Sequence, residues 1–90
     1  MMNYFQYLLI GGQRHGSKHC EPYYQFNLFF RSQEPQAPDA IYTHFDYYKV
    51  NTIKALDGNW YLVAFYNAVS YFPLEEITSL LLENNVATYF

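Results

Sequence analysis

Hydrophobic side chains recur along this chain with two different periods, and the change from one to the other marks the expected architecture. Residues Asn3–Ile10 are rich in aromatic and branched side chains and stop at Gly11-Gly12, the pattern of a strand ended by a glycine turn. From Tyr23 to Arg31 the period is two. Tyr24, Phe26, Leu28 and Phe30 form a wholly apolar face, while Tyr23, Gln25, Asn27, Phe29 and Arg31 form a mostly polar or amphipathic one. Ile41–Leu56 is strand-like again and too long for one flat strand, so a bend or bulge is expected within it. Leu56-Asp57-Gly58-Asn59-Trp60 carries a hairpin signal, because glycine tolerates the positive φ that tight turns need. The near-continuous apolar run Trp60–Tyr66 predicts a central strand covered on both faces.

Beyond Ser70 the period becomes helical. Pro73 suits a first helical turn, and Glu75 and Glu76 favour the positive end of the helix dipole. Leu74, Ile77, Leu80 and Leu81 share one face, and Asn84-Asn85 is a stop, since asparagine accepts the left-handed cap conformation. The tail Val86–Phe90 is expected either to add a short strand or to pack down. Gly11–Pro22 and the proline-containing Ser32–Asp39 read as loops. The expected fold is α+β: an antiparallel sheet of about four strands with one C-terminal helix packed on it, residues 1–90 forming a single domain.

Composition sharpens this picture. With 51% hydrophobic and 14% charged residues the 90-residue chain is far from the composition of a disordered protein. A single cysteine, Cys20, excludes an internal disulfide framework. No basic residue precedes the short aliphatic run Leu8-Leu9-Ile10, so no signal peptide is expected, and no apolar stretch approaches the roughly 18 residues of a membrane span. A cytoplasmic protein without a membrane partner is the expectation. All five bases lie before residue 55 alongside four acids, and the remaining four acids follow with no base, for a formal net charge of −3. This balance argues against non-specific nucleic-acid binding, which needs a basic surface to displace counterions.

Candidate chemistry begins in the glycine loop. Three glycines with Arg14, His15 and Lys18 could bring backbone N–H groups and cations to an anion. The run GGQRHG nevertheless lacks the GK[ST] ending of a P-loop and the order of a dinucleotide site. His15, His19, Cys20, His44 and Asp46 are zinc-ligand types, but a glycine-interrupted H-x-x-x-H and a lone cysteine do not make the close second pair that a structural site needs, so no metal or cofactor is expected. His44 and Asp46 alternate with Tyr42 and Tyr48 on one strand face, an arrangement that orients an imidazole yet comes with no nucleophile motif. The aromatic excess is more informative: 11 Tyr, 8 Phe and 1 Trp are more than a core of this size hides. Tyrosine offers large contact area at low entropic cost, so the surplus points to a partner surface. Tyr42, His44, Asp46, Tyr48 and Tyr23 are the residues expected to form it.

Tyr7-Leu8-Leu9-Ile10-Gly11-Gly12-Gln13-Arg14-His15-Gly16 is a strand entering GG-x-x-x-G; tyrosine-rich strands and a short E-E-I-x-x-L-L helix follow. This layout resembles small phage- or prophage-encoded accessory proteins. The resemblance implies a non-catalytic protein-binding module, a stoichiometric inhibitor of a host or defence protein of the anti-CRISPR kind, acting in the host-cell cytoplasm. It transfers no catalytic residue. Two other readings stand beside it: a self-assembling structural accessory protein, with aromatic strands and an exposed edge forming a homodimer, and a small histidine-dependent hydrolase or phosphate-ligand protein built on His15, His19 and the glycine loop.

Overall fold

Gly58 opens the best-defined piece of the fold. Its φ of +86° allows the tight turn, Ala55 N–H donates to the Asn59 carbonyl (2.9 Å), and the Asp57 carboxylate accepts from the Asn59 N–H (2.9 Å). The hairpin so formed joins β4 (Phe45–Lys54) to β5 (Trp60–Tyr66), as expected from the sequence. The computed structural model describes residues 4–31, 45–66 and 72–89. Within them lie three further strands, β1 (Phe5–Ile10), β2 (Lys18–Glu21) and β3 (Asn27–Arg31), and one helix, α1 (Leu74–Glu83).

The sheet has five strands in the order β2-β1-β5-β4-β3, and it is mixed. β1 runs parallel to β5, with Tyr7 opposite Leu62 and Ile10 opposite Phe65, while the other pairings are antiparallel. This corrects the expected antiparallel sheet of about four strands. The extra strand is β2, which lies inside the stretch read as a glycine loop. Gly16, at φ +79°, gives its N–H to the Leu9 carbonyl (2.7 Å), and Leu9 gives its own to Ser17 (2.9 Å). Two residues thus oppose one, a glycine bulge that turns the chain back along β1. β5 is central and buried from Tyr61 to Ala64, as its apolar run predicted.

Two cores flank the sheet. On one face Leu8, Ile10, Tyr61 and Val63 meet Ile77 and Leu81 of α1. On the other, Tyr7, Leu9, Leu28, Tyr48, Val50, Leu62 and Ala64 pack together beneath Phe5, Tyr24, Phe30 and Tyr66. No helix among the described residues covers this second face. The sheet curls to cover it, until the His19 ring on the β2 edge meets the Phe30 ring on the β3 edge edge-on at 4.9 Å. The crossing from β2 to β3 is short, and it threads over the same face, where the Gln25 N–H donates to the Tyr7 hydroxyl (2.9 Å).

The helix starts at Pro73, whose fixed φ suits a cap, and ends in a Schellman arrangement. Asn85 takes the left-handed conformation (φ 52°), its N–H reaches the Leu82 carbonyl (3.3 Å), and the Val86 N–H reaches that of Leu81 (3.0 Å). Asparagine therefore stops the helix as expected. The buried stripe is Ile77, Thr78 and Leu81, with Leu80 only half-buried against the same core. Leu74 is 38% exposed, and Thr78 is buried in its stead. The Thr78 hydroxyl donates to the Leu74 carbonyl (2.9 Å) and accepts from the Leu56 N–H (3.1 Å), tying helix to hairpin turn. The tail packs down without forming a strand: Val86 is buried, Ala87 donates to the Gln6 side chain (2.8 Å) and Tyr89 to the Trp60 carbonyl (2.8 Å). Ile77→Ala should therefore lower unfolding stability by about 2–5 kcal/mol. Leu74→Ala, on the same helix but partly in water, should cost well under half as much. Parallel urea titrations of both variants measure the difference, and equal losses would contradict this placement of the helix.

Candidate functional site

The glycine loop is built from its own hydrogen bonds. Gly11, Gly12 and Gly16 all take positive φ, which only glycine adopts without strain. The Gly11 N–H donates to His15 Nδ1 (2.8 Å), and the Gly11 carbonyl accepts from the buried Tyr48 hydroxyl (2.7 Å). Gly12 stands so close to Tyr48 that a Cβ there would lie 2.6 Å from its hydroxyl oxygen. The loop is thus bolted to the curled face through Tyr48, whose ring packs between Phe30 and Tyr66.

The three side chains considered for an anion are drawn apart by this arrangement. Arg14 lies over the Phe30 ring, 4.4 Å from its centroid, on the curled side. The His15 ring packs 5.2 Å from Phe72, which belongs to the helix-side core, and Lys18 Nζ reaches the Asn85 carbonyl at the end of α1 (3.5 Å). His19 is engaged as well: its Nε2 lies 2.8 Å from the Glu21 carboxylate, and its ring meets Phe30 and Tyr7. These contacts clamp β2 against β3. Cys20 is exposed, and no group of three or more His, Cys, Asp or Glu side chains is gathered for a metal ion among the described residues.

Of the five residues expected to contact a partner, Tyr42 and His44 lie outside the described residues. Asp46 and Tyr48 do share one face of β4, as alternation requires, but that face points into the curl. Tyr48 is 0% exposed and part of the core, so its ring offers no contact surface. Alternation with the polar His44 and Asp46 predicts it outside; the Gly11 carbonyl satisfies its hydroxyl and lets it stay in. Tyr23, on the β2–β3 crossing, is 75% exposed.

Aromatic surface appears instead on the opposite face of the same two strands. Phe29 of β3 is 63% exposed and Phe45 of β4 is 61% exposed. Between them lies Tyr47, directly across from Phe29 with ring centroids 5.2 Å apart and its hydroxyl donating to the Asn27 side chain (2.6 Å). The signal was present in the sequence, since Phe29 interrupts the polar face of its strand and Phe45 and Tyr47 alternate with Asp46 and Tyr48. A separate hollow of about 580 Å³ opens between the start of β1 and the tail, lined by Tyr4, Phe5, Gln6 and Tyr89 among others, with no histidine, carboxylate side chain or cation. No family model, curated protein or solved structure matches this chain.

Burial holds the Tyr7 and Tyr48 phenols above their ordinary pKa, and the hydrogen bond to Asp57 does the same for Tyr61, while that bond in turn lowers the Asp57 carboxyl. A raised phenol pKa stabilises the fold fully below the unfolded value of about 10, and this contribution disappears as pH rises through the folded value. Alkaline titration should therefore show the Tyr7 and Tyr48 phenols ionising only together with loss of the far-ultraviolet sheet signal. Their ionisation with the fold retained would contradict the burial of the two rings.

Gly58 and Gly12 separate conformational strain from crowding. Gly58→Ala meets open space and should cost about 1–2 kcal/mol for its left-handed backbone alone. Gly12→Ala adds the displacement of the buried Tyr48 ring, about 1–3 kcal/mol more. Thermal denaturation of the two variants measures the gap.

Proposed function

We propose that this chain is a non-catalytic protein-binding module that acts by stoichiometric contact, through the aromatic face of β3 and β4. The observation that carries this reading is the exposure of Phe29 and Phe45 on one sheet face, flanking Tyr47. Large rings left in water on a rigid sheet lose little entropy on binding, and aromatic side chains dominate interface hot spots. The face also carries Arg31 and Lys49, both exposed, which gives an apolar patch with a basic rim. A partner that is apolar at its centre and acidic around it matches this surface. The likeness of the opening strand and GG-x-x-x-G to small phage-encoded proteins supports a host or defence factor as that partner, and hence an inhibitor acting in the host cytoplasm.

Histidine chemistry finds less support. His15 spends Nδ1 on the Gly11 N–H and His19 spends Nε2 on Glu21, and each ring packs against a phenylalanine. Those contacts are what a structural histidine makes.

The test is affinity capture with the wild-type chain, Phe29→Ser, Phe45→Ser and the double variant, each first shown by circular dichroism to fold. Truncating a hot-spot ring costs about 2 kcal/mol, roughly thirtyfold in affinity. The bound protein should thus weaken with either single change and disappear with the double. A partner held equally by all four chains would move the interface elsewhere. Turnover of a small substrate, abolished by His15→Ala or His19→Ala, would overturn the binding reading.

A further inference from the structure

The imidazole of His15 stands between the glycine loop and the first turns of α1, and a different role is open to it on each side. Toward the loop, its Nδ1 accepts from the Gly11 N–H (2.8 Å), so the neutral ring carries its proton on Nε2. Gly11 is also the residue whose carbonyl receives the buried Tyr48 hydroxyl (2.7 Å), and the His15 N–H closes the turn onto the Gly12 carbonyl (3.3 Å). The side chain thus ties the two ends of the glycine turn together across four residues.

Toward the helix, His15 shares a hollow of about 410 Å³ with Glu75, Glu76, Ser79 and Leu80 of α1. The hollow gives the ring room to turn, and its helical wall carries two carboxylates that form no ion pair among the described residues. The two bases of the same segment are directed elsewhere: Arg14 lies over Phe30 on the curled side, and Lys18 reaches the Asn85 carbonyl at the far end of the helix. A single proton exchanges the two roles. Protonated at Nδ1, the ring has two N–H groups and no acceptor, so the Gly11 N–H meets another donor. The imidazolium gains in return from carboxylates beside it.

We propose that His15 is a proton-operated latch on the glycine loop: neutral, it accepts from Gly11 and holds the turn; protonated, it releases Gly11 and swings toward Glu75 and Glu76. His19 shows why the device sits at His15 alone of these two. Its Nε2 lies 2.8 Å from the Glu21 carboxylate, so a proton on that ring strengthens the contact it already makes. Acid therefore opens the glycine turn while the clamp between β2 and β3 stays closed. The Tyr48 phenol, held above its ordinary pKa by burial, does not titrate in the histidine range, so the bond from its hydroxyl to the Gly11 carbonyl limits the release to the turn. The inference does not depend on the partner proposed above.

Amide hydrogen exchange of the unmodified chain, followed residue by residue by NMR and corrected for intrinsic rates, measures the latch. Protection of the Gly11 N–H should fall about tenfold or more between about pH 8 and about pH 5, in step with titration of the His15 ring signals. The Gly58 N–H, which donates to the Ala55 carbonyl (3.0 Å) in a turn without histidine, should keep its protection. His15→Asn places an acceptor close to where Nδ1 stands and takes up no proton in this range, so the Gly11 transition should vanish. Glu75→Gln combined with Glu76→Gln should move the midpoint of that transition to lower pH, because the charges that favour the imidazolium are gone. Constant protection of Gly11 across the range, a transition retained in His15→Asn, or a midpoint unmoved by the two glutamines would overturn the proposal.

Discussion

β1 and β5 are apolar on both faces, and one helix can cover only one of them. Tyr7, Leu8, Leu9 and Ile10 follow one another with all four side chains buried, and Tyr61–Ala64 do the same beside them. Leaving either face in water would forfeit about 25 cal/mol for each Å² of apolar surface left unburied. The helix takes Leu8, Ile10, Tyr61 and Val63. The sheet has to cover Tyr7, Leu9, Leu62 and Ala64 with its own margins, and that requirement explains the curl, the short crossing over Tyr7 and the meeting of His19 with Phe30. The aromatic excess follows from the same requirement, since a few large rings bridge a gap that aliphatic side chains would leave open.

Rings that close the curl cannot also meet a partner, so the aromatic residues divide by strand phase. On β4, Asp46, Tyr48 and Val50 turn inward while Phe45, Tyr47 and Lys49 turn outward. The division is asymmetric in chemistry. The inward tyrosines have hydroxyl partners within the chain, Gly11 for Tyr48 and Gln25 for Tyr7, whereas Phe29 and Phe45 bring no polar atom and remain exposed. An interface on the outer face would therefore be apolar at its centre and depend on shape more than on hydrogen bonding.

How much of this was legible in the sequence depended on whether the signal was local. The hairpin at Gly58, the central strand Trp60–Tyr66 with its buried middle and the helix stop at Asn85 rest on a turn residue, an apolar stretch and a capping preference, each legible from a few neighbouring positions. β2 was not legible, because Lys-His-Cys-Glu has no apolar face and becomes a strand only through the bulge at Gly16 and the pairing with β1. The parallel β1–β5 pairing left no local trace either. The burial of Tyr48 depends on the Gly11 carbonyl, remote in sequence, and the outer Phe29–Phe45 face depends on which strand phase turns into the curl, which alternation alone does not specify. Thr78 replaced Leu74 in the core for a similar reason: its hydroxyl bonds to the hairpin turn, a partner that helical periodicity does not reveal.

The pairing of Tyr7 with Leu62 also bears on how the molecule forms. The first strand of the fold and the last are neighbours at its centre, so β1 acquires its parallel neighbour only after nearly the whole intervening chain is available. Closing such a loop costs entropy before any contact repays it, which slows folding relative to a meander of sequential hairpins. The β4–β5 hairpin, with its turn held by Gly58 and Asp57, is the piece able to form early, and it presents to β1 the edge that β1 must find. Until then Leu8, Leu9 and Ile10 are the most apolar unpaired segment of the chain. On a ribosome the interval between the emergence of β1 and that of β5 is the period in which this protein is most exposed to aggregation or to capture by a chaperone.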